Sequence, residues 1–420
     1  MNKLDETLSR EVWKSYGAVT TPVEVIDFIL RVLGKKAWQG LKILEPGCGF
    51  CDFLKRIYDA YPNNEFVGVE LNPQIYNIAK SSFPQFKLVL SDFLLWDTHT
   101  KYDVVIGNPP YGIIGNRSHY PIHIMNNKKE SYKKHIGTWY GKFNIYGAFI
   151  EKGIKLLKNR GKLVFIVPAT FMILDDFRYL RKFLSQSGRV KVFYLGPRVF
   201  KGKSVSTAVL MVHKGLAGIE LYGVTRLKKT IKYYSKDSYD GGIIRFDSAE
   251  SHHFEESAIP LGSLFSMHFA ARSPEVKKHP LVSSEPRDGL VPILTGRNLH
   301  PGFIDYERCY SGLWMPKEAA ASLRNFYAFA HIVVGHTKGG KLVAAVDELC
   351  YPWREEIHLV PKVDGLNLDA VTEYLNSARV QHYMRILYKD ITPHTTITQL
   401  KQLPMKGVLD GKRNKRLALI

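Results

Sequence analysis

At 420 residues the chain is too long for one ordinary domain, and its 45% hydrophobic and 12% aromatic content excludes intrinsic disorder. Its 59 Lys and Arg against 39 Asp and Glu leave a net charge of +20, which points to a polyanionic partner, nucleic acid first. No window approaches the ~18 apolar residues of a membrane span, and four cysteines are too few for a disulfide framework at this size, so a reducing cytoplasm is expected.

Strands are predicted at residues 41–45, 65–70, 86–91, 103–107, 162–167, 191–196 and 206–213, with helical patterns between them. Seven strands in this rhythm predict a parallel sheet flanked by helices. The first strand runs into Glu45-Pro-Gly-Cys-Gly49, where Gly47 and Gly49 let the backbone approach a ligand closely. Cys48-x-x-Cys51 has no second Cys or His pair near it, so redox and metal roles are set aside. The second strand ends at Glu70, followed by Leu71, where a carboxylate can accept from ribose hydroxyls. The third ends in Ser91-Asp92-Phe93, an acceptor for an adenine amine beside a ring that packs on it. Three such elements at successive strand ends fit a bound nucleoside.

The fourth strand leads into Asn108-Pro109-Pro110-Tyr111. Two prolines fix the backbone and remove two N–H donors, which leaves acceptors to face an amino group. An exocyclic amine is a poor nucleophile because its lone pair is delocalised into the ring. If the Asn108 side-chain oxygen and the Pro109 carbonyl accept its hydrogens, the nitrogen moves toward tetrahedral geometry and the lone pair is freed. Tyr111 would stack on the base. Residues 108–143 form a long aperiodic stretch, and residues 131–142 interleave basic and aromatic side chains in a way that suits a phosphate backbone. A docked amphipathic helix follows at 144–157. Beyond Gly215 the alternation is lost, a turn-rich junction sets a boundary near residue 240, and the remainder mixes short strands with helices at 317–330 and 369–376.

The ordered set Glu45-Pro-Gly-Cys-Gly49, Glu70, Asp92-Phe93 and Asn108-Pro-Pro-Tyr111 resembles the S-adenosylmethionine-dependent amino-methyltransferases. Further stretches, among them Tyr146-Gly-Ala-Phe149, Leu294-Thr-Gly-Arg-Asn298 and Tyr351-Pro-Trp-Arg-Glu-Glu356, extend the resemblance to TaqI-type DNA adenine-N6 methyltransferases over nearly the whole chain.

The resemblance implies a class I methyltransferase domain, Rossmann-like, with a seven-stranded sheet (residues 1–240), and a mixed α+β target-recognition domain (241–420). It implies S-adenosylmethionine held by Val19, Thr21, Glu45, Gly47, Gly49, Glu70, Leu71, Asp92, Phe93 and Phe149. Asn108, Pro109, Pro110 and Tyr111 would carry the reaction, with Phe200, or Tyr194 in its place, on the other face of the target adenine. Aromatics on both faces require the base to leave the duplex, at a cost of a few kcal/mol. Pro393 would fill the hole, while Arg272, Arg297, Lys338 and Arg354 are candidate DNA contacts.

The implied partner is double-stranded DNA at TCGA, with a restriction endonuclease acting on the same site but not in a stable complex. The enzyme is expected to be a monomer, without a membrane and without a metal. Similar four-residue motifs serve enzymes acting on a release-factor glutamine or on guanine in ribosomal RNA. The basic surplus and the second domain oppose the first, and the C-terminal resemblance opposes the second.

Overall fold

Strands buried on both faces read as continuous apolar runs rather than as alternation, and the central strands of the first unit's sheet are such runs. The computed structural model describes residues 21–34, 39–114, 121–122, 126–200, 205–335 and 341–406. The chain divides into two compact units, Met1–Phe246 and Asp247–Ile420.

In the first unit, nine strands form one sheet: β1 (Lys42–Pro46), β2 (Glu65–Glu70), β3 (Lys87–Leu90), β4 (Tyr102–Gly107), β5 (Leu157–Pro168), β6 (Gly188–Gly196), β7 (Thr207–Lys214), β8 (Ile219–Thr225) and β9 (Lys229–Lys236). Their order is β9-β8-β6-β7-β5-β4-β1-β2-β3. β1 pairs in parallel with both β2 and β4, with Ile43 opposite Phe66 on one side and Val104 on the other. β7 is antiparallel to both β5 and β6. The order reverses at β1 and β4, so a crevice opens outside their carboxyl ends, where ligands of such sheets bind.

All seven expected strands are present, and β8 and β9 lengthen the sheet at one edge where no strand was expected. For β9 the reason is burial, since every side chain in it is exposed or half-buried; β8 does bury Ile219 and Leu221, an alternation too short to stand out in the sequence.

Helix α1 (Val23–Leu33) buries Val25, Ile26, Phe28, Ile29 and Leu33 on one stripe. Two further helices, α2 (Asp52–Ala60) and α3 (Pro73–Ser82), follow β1 and β2, and the Asn72 side chain caps α3 by accepting from the N–H groups of Gln74 and Ile75. The long stretch after β4 contains α4 (Lys129–His135), followed by the expected amphipathic helix α5 (Tyr146–Lys155) and then α6 (Arg178–Ser187).

The second unit is mixed α+β. An antiparallel sheet of β10 (Phe265–Phe269), β11 (His331–Val334), β12 (Ala344–Asp347) and β13 (Ile357–Pro361) runs in the order β10-β13-β11-β12, beside α7 (Leu368–Asn376) and α8 (Ala378–Tyr388). Its core gathers Leu294, Met315, Phe326, Val333, Ala345 and Trp353. The single helix expected at 317–330 is instead broken into Lys317–Ala319, Ala320–Leu323 and Asn325–Ala328, because Arg324 is extended (φ −151°, ψ 126°). That backbone lets its guanidinium reach Glu275 at 2.6 Å. Among the described residues no helix is long and apolar enough to cross a membrane.

Candidate active site

Four strand ends of the first unit meet at one place. After β1, Gly47 (φ 65°) and Gly49 (φ 53°) both take the left-handed backbone that favours glycine. A Cβ on Gly47 would lie 3.6 Å from Phe149 and 3.8 Å from Pro110, whereas one on Gly49 would meet nothing within 4 Å among the described residues. The turn therefore touches α5 and the Pro-Pro segment on its Gly47 side, and among the described residues nothing crowds its Gly49 side.

Glu45 is buried, and its Oε2 accepts from Leu54 N at 3.1 Å, so this carboxylate caps the first turn of α2. Burial holds its pKa well above the usual carboxylate value. Glu70 closes the glycine turn: Oε2 accepts from Gly49 N at 2.9 Å and Oε1 from Asn72 N at 2.8 Å. Burial raises its pKa, and these amides offset part of the rise. Each oxygen keeps lone-pair capacity for another donor. Leu71 lies half-buried beside it.

Cys48 and Cys51 are both buried free thiols, and the hydrogen bond with Cys51, together with burial, pushes the Cys48 thiol up. Such a thiol is a packing group rather than a nucleophile.

At the end of β3, Asp92 Oδ2 accepts from Tyr132 Oη at 2.6 Å and from Lys128 Nζ at 3.0 Å, while Oδ1 accepts from Leu94 N at 3.1 Å. Phe93 packs on Phe149 with ring centroids 5.0 Å apart, and Lys152 Nζ lies 5.4 Å from the Phe93 centroid. Lys152 also donates to the carbonyls of Leu94 (3.1 Å) and Trp96 (2.7 Å), and burial brings its pKa down to about 8.

After β4, Asn108 Nδ2 donates to the buried Thr21 Oγ1 at 3.0 Å, which orients the amide; its Oδ1 is also buried. Pro109 is buried and Pro110 half-buried. Tyr111 Oη donates to Ile166 O at 2.9 Å, and burial pushes its pKa well up. Gly112 N donates to Asn144 Oδ1 at 2.9 Å, tying the motif to the start of α5. Phe200 lies beside Tyr111 at 6.0 Å and 70°, with Tyr146 also on the Tyr111 ring at 6.2 Å and 81°, whereas Tyr194 sits edge-on to Phe246 at 5.1 Å.

The structure thus brings together Thr21, Gly47, Gly49, Glu70, Asp92, Phe93, Asn108, Pro110, Tyr111, Phe149 and Phe200, while Val19 lies outside the described residues. Sequence reasoning missed Lys128, Tyr132, Asn144 and Lys152, which lie far along the chain from the groups they hold and carry no local signal. In residues 131–142 Tyr132 is buried and Trp139, half-buried, packs between Tyr132 and Phe143, whereas Lys133, Lys134, His135 and Lys142 are all exposed, so the basic side chains of the stretch face out while its aromatics pack partly inward.

In the second unit, parallel bridges join Ala271 to Arg354 and Leu294 to Trp353, so the segments carrying Arg272, Arg297 and Arg354 lie side by side. Arg272 and Arg297 are exposed, and Arg297 lies 6.0 Å from the Tyr310 ring. Arg354 donates to Ser273 Oγ at 3.4 Å. Pro393 is exposed, and Lys338 lies outside the described residues.

A family model described as the Eco57I restriction-modification methylase matches residues 63–200, and one described as the TaqI-like C-terminal specificity domain matches residues 291–405. The chain is 49% identical over 409 residues to the type II methyltransferase M.TthHB8I of Thermus thermophilus, covering 96% of this chain and 94% of that one. It is 34% identical over 104 residues to the type II methyltransferase M.CvrRI of a Paramecium bursaria Chlorella virus, covering 25% and 27%. Among solved structures, DrdV in its DNA complex aligns with a TM-score of 0.57 at 13% identity, covering 86% of this chain and 51% of that one. A nuclease-deletion mutant of the Type ISP enzyme LlaGI aligns with a TM-score of 0.51 at 15% identity, covering 83% and 49%. These two likenesses concern the fold.

Proposed function

Because the chain belongs to the type II DNA methyltransferases of restriction-modification systems, we propose that it methylates the N6 amino group of adenine in duplex DNA, at the palindrome TCGA, with S-adenosylmethionine as the methyl donor. The observation that carries this reading is Asn108. Its amide nitrogen donates to Thr21, which leaves the side-chain oxygen as the atom that would accept from an amine, next to a carbonyl fixed between two prolines.

The residues present fit the donor. The open side of the Gly49 turn, the lone pairs of Glu70 and Asp92, and the Phe93 and Phe149 rings provide close backbone approach, acceptors and apolar walls for a nucleoside. When bound, S-adenosylmethionine supplies a methyl group already activated by its sulfonium. Asn108 and the Pro109 carbonyl accept the hydrogens of the target amine, which frees the nitrogen lone pair for direct displacement. Tyr111, anchored through Ile166, stacks on the base, and Phe200 covers its other face. A base between two rings has left the helix, so flipping belongs to the reading.

The TaqI-like specificity match at residues 291–405 supports the TCGA target, with Arg272, Arg297, Lys338 and Arg354 contacting DNA and Pro393 entering the stack. A monomer acting on each strand in turn suffices for a palindrome. The enzyme would work in the cytoplasm, protecting sites from a cognate endonuclease.

The test is transfer of labelled methyl to a plasmid, followed by nucleoside analysis and digestion with an endonuclease blocked by TCGA methylation. N6-methyladenine with protection is the expected result. N6-methyladenine without protection overturns the target sequence, and methylation of RNA alone overturns the substrate.

A further inference from the structure

The hairpin β8–β9 ends in a turn that its residues do not favour. Lys228 N donates to Thr225 O at 3.0 Å, and both residues inside, Arg226 (φ 49°) and Leu227 (φ 54°), have left-handed backbone. Turns with positive φ at both central positions are normally built on Asn-Gly, and a side chain held there against its preference is a feature found at functional sites.

The consequence is a charged tip. Arg226, Lys228 and Lys229 are exposed, and Arg31 from α1 joins them, its guanidinium donating to Leu227 O. Glu220 is the acidic residue of the hairpin, and it is buried and held by Tyr222, Lys191 and Arg189, so it does not neutralise the tip. Asp27 of α1 is paired with Arg56. Lysines along an edge strand guard it against pairing, which accounts for Lys232 and Lys236 but not for a strained Arg226 or for Arg31.

Topology puts this tip at the active-site end of the sheet. β8 is parallel to β6, and β6 shares its direction with β5 and β4 through the antiparallel β7, so the turn leaves β8 at the same edge where Asn108 leaves β4. Four strand intervals separate the two, roughly 19 Å. Helix α1 gives a second ruler. Its entry residue Thr21 touches Asn108 and its Arg31 touches the turn, ten residues or roughly 15 Å apart. At 3.4 Å per step this is about five base pairs of duplex.

We propose that Arg31, Arg226, Lys228 and Lys229 form a phosphate clamp on the DNA backbone, about five base pairs from the base being methylated. The proposal rests on the DNA reading above.

The test uses the full chain with Arg226→Gln, Lys228→Gln and Lys229→Gln combined, and Leu227→Gly as a control that relaxes the turn while keeping its charges. Affinity is measured against salt on a duplex of roughly 30 base pairs centred on the target, and on one trimmed to roughly 6, in which no base pair lies five from the target adenine. On the long duplex the triple variant is expected to lose about 2 to 3 from the slope of log K against log salt, near 0.9 per phosphate contact. Its slope on the short duplex, its maximal methylation rate and the behaviour of Leu227→Gly should match the unmodified protein. An unchanged slope on the long duplex, or an equal loss on both, overturns the clamp. A change of oligomeric state in the triple variant overturns it in favour of an interface between copies of the chain. An unmodified protein that neither binds nor methylates duplex DNA overturns the functional reading itself.

Discussion

Tyr132 donates its hydroxyl to Asp92 Oδ2 across 2.6 Å, joining α4, in the stretch after the Asn-Pro-Pro-Tyr motif, to the end of β3. Lys128 reinforces the same oxygen at 3.0 Å. The carboxylate proposed to receive the cofactor's adenine is therefore aimed by a segment of the chain on the far side of the active-site motif.

Removing the hydroxyl leaves Asp92 Oδ2 held by Lys128 alone and Oδ1 by the Leu94 amide. Tyr132→Phe should weaken S-adenosylmethionine binding roughly tenfold, the scale of one hydrogen bond to a charged group, while the maximal rate at saturating cofactor stays near that of the parent. Titration calorimetry with the cofactor alone reads the first, and steady-state kinetics the second. Equal affinity in the variant would remove Tyr132 from any positioning role.

Asn108→Ala removes the acceptor that acts on the amine. Turnover should fall by roughly 10²-fold or more, as when one preorganised hydrogen-bonding group is lost from other active sites, with cofactor affinity retained. Parent-like single-turnover rates would sink the proposed mechanism.

Phe200 meets Tyr111 edge-on at 6.0 Å, so the two rings must part to admit a base between them. With 2-aminopurine in place of the target adenine, binding should raise the fluorescence, and Phe200→Ala should reduce both that rise and affinity for the duplex. Loss of cofactor binding alone would reassign the ring.

In the second unit, His331 Nε2 and His358 Nδ1 are 2.7 Å apart in a fully buried pair, and His331 Nδ1 donates to Phe329 O at 2.8 Å. Burial lowers both pKa values, that of His358 well below the usual imidazole range. The unfolded chain, with ordinary values near 6.5, then binds protons more readily than the fold does. Stability from this pair is complete above about pH 6.5 and falls as the pH drops below it, by up to about 1.4 kcal/mol per pH unit for each histidine. Thermal melts at pH 7.5 and pH 5 should show the loss, and His358→Leu should flatten it. A parent melting temperature that does not change between the two pH values would contradict the assignment.

The placement of the candidate site residues was legible because they lie in local motifs. Gly47 and Gly49, Glu70, Asp92-Phe93 and Asn108-Pro-Pro-Tyr111 each sit directly after an apolar run, and a strand followed by a turn is specified within about ten residues. The central strands were legible for the same reason, since burial on both faces leaves a dense apolar signal.

What escaped reading depends on packing between distant parts of the chain. A buried tyrosine and an exposed one are the same letter, so Tyr132 reads as part of a basic, aromatic surface until the fold buries it and stacks Trp139 against it. Strand β9 has no buried side chain to mark it, and what places it in the sheet is its pairing with β8, which in turn pairs with β6. The sequence by itself determined which groups stand at the strand ends. The tertiary structure decided which carboxylate caps a helix, which one is held by a tyrosine 40 residues away, and where the spare positive charge is displayed, because these follow from contacts made only after the chain has closed on itself.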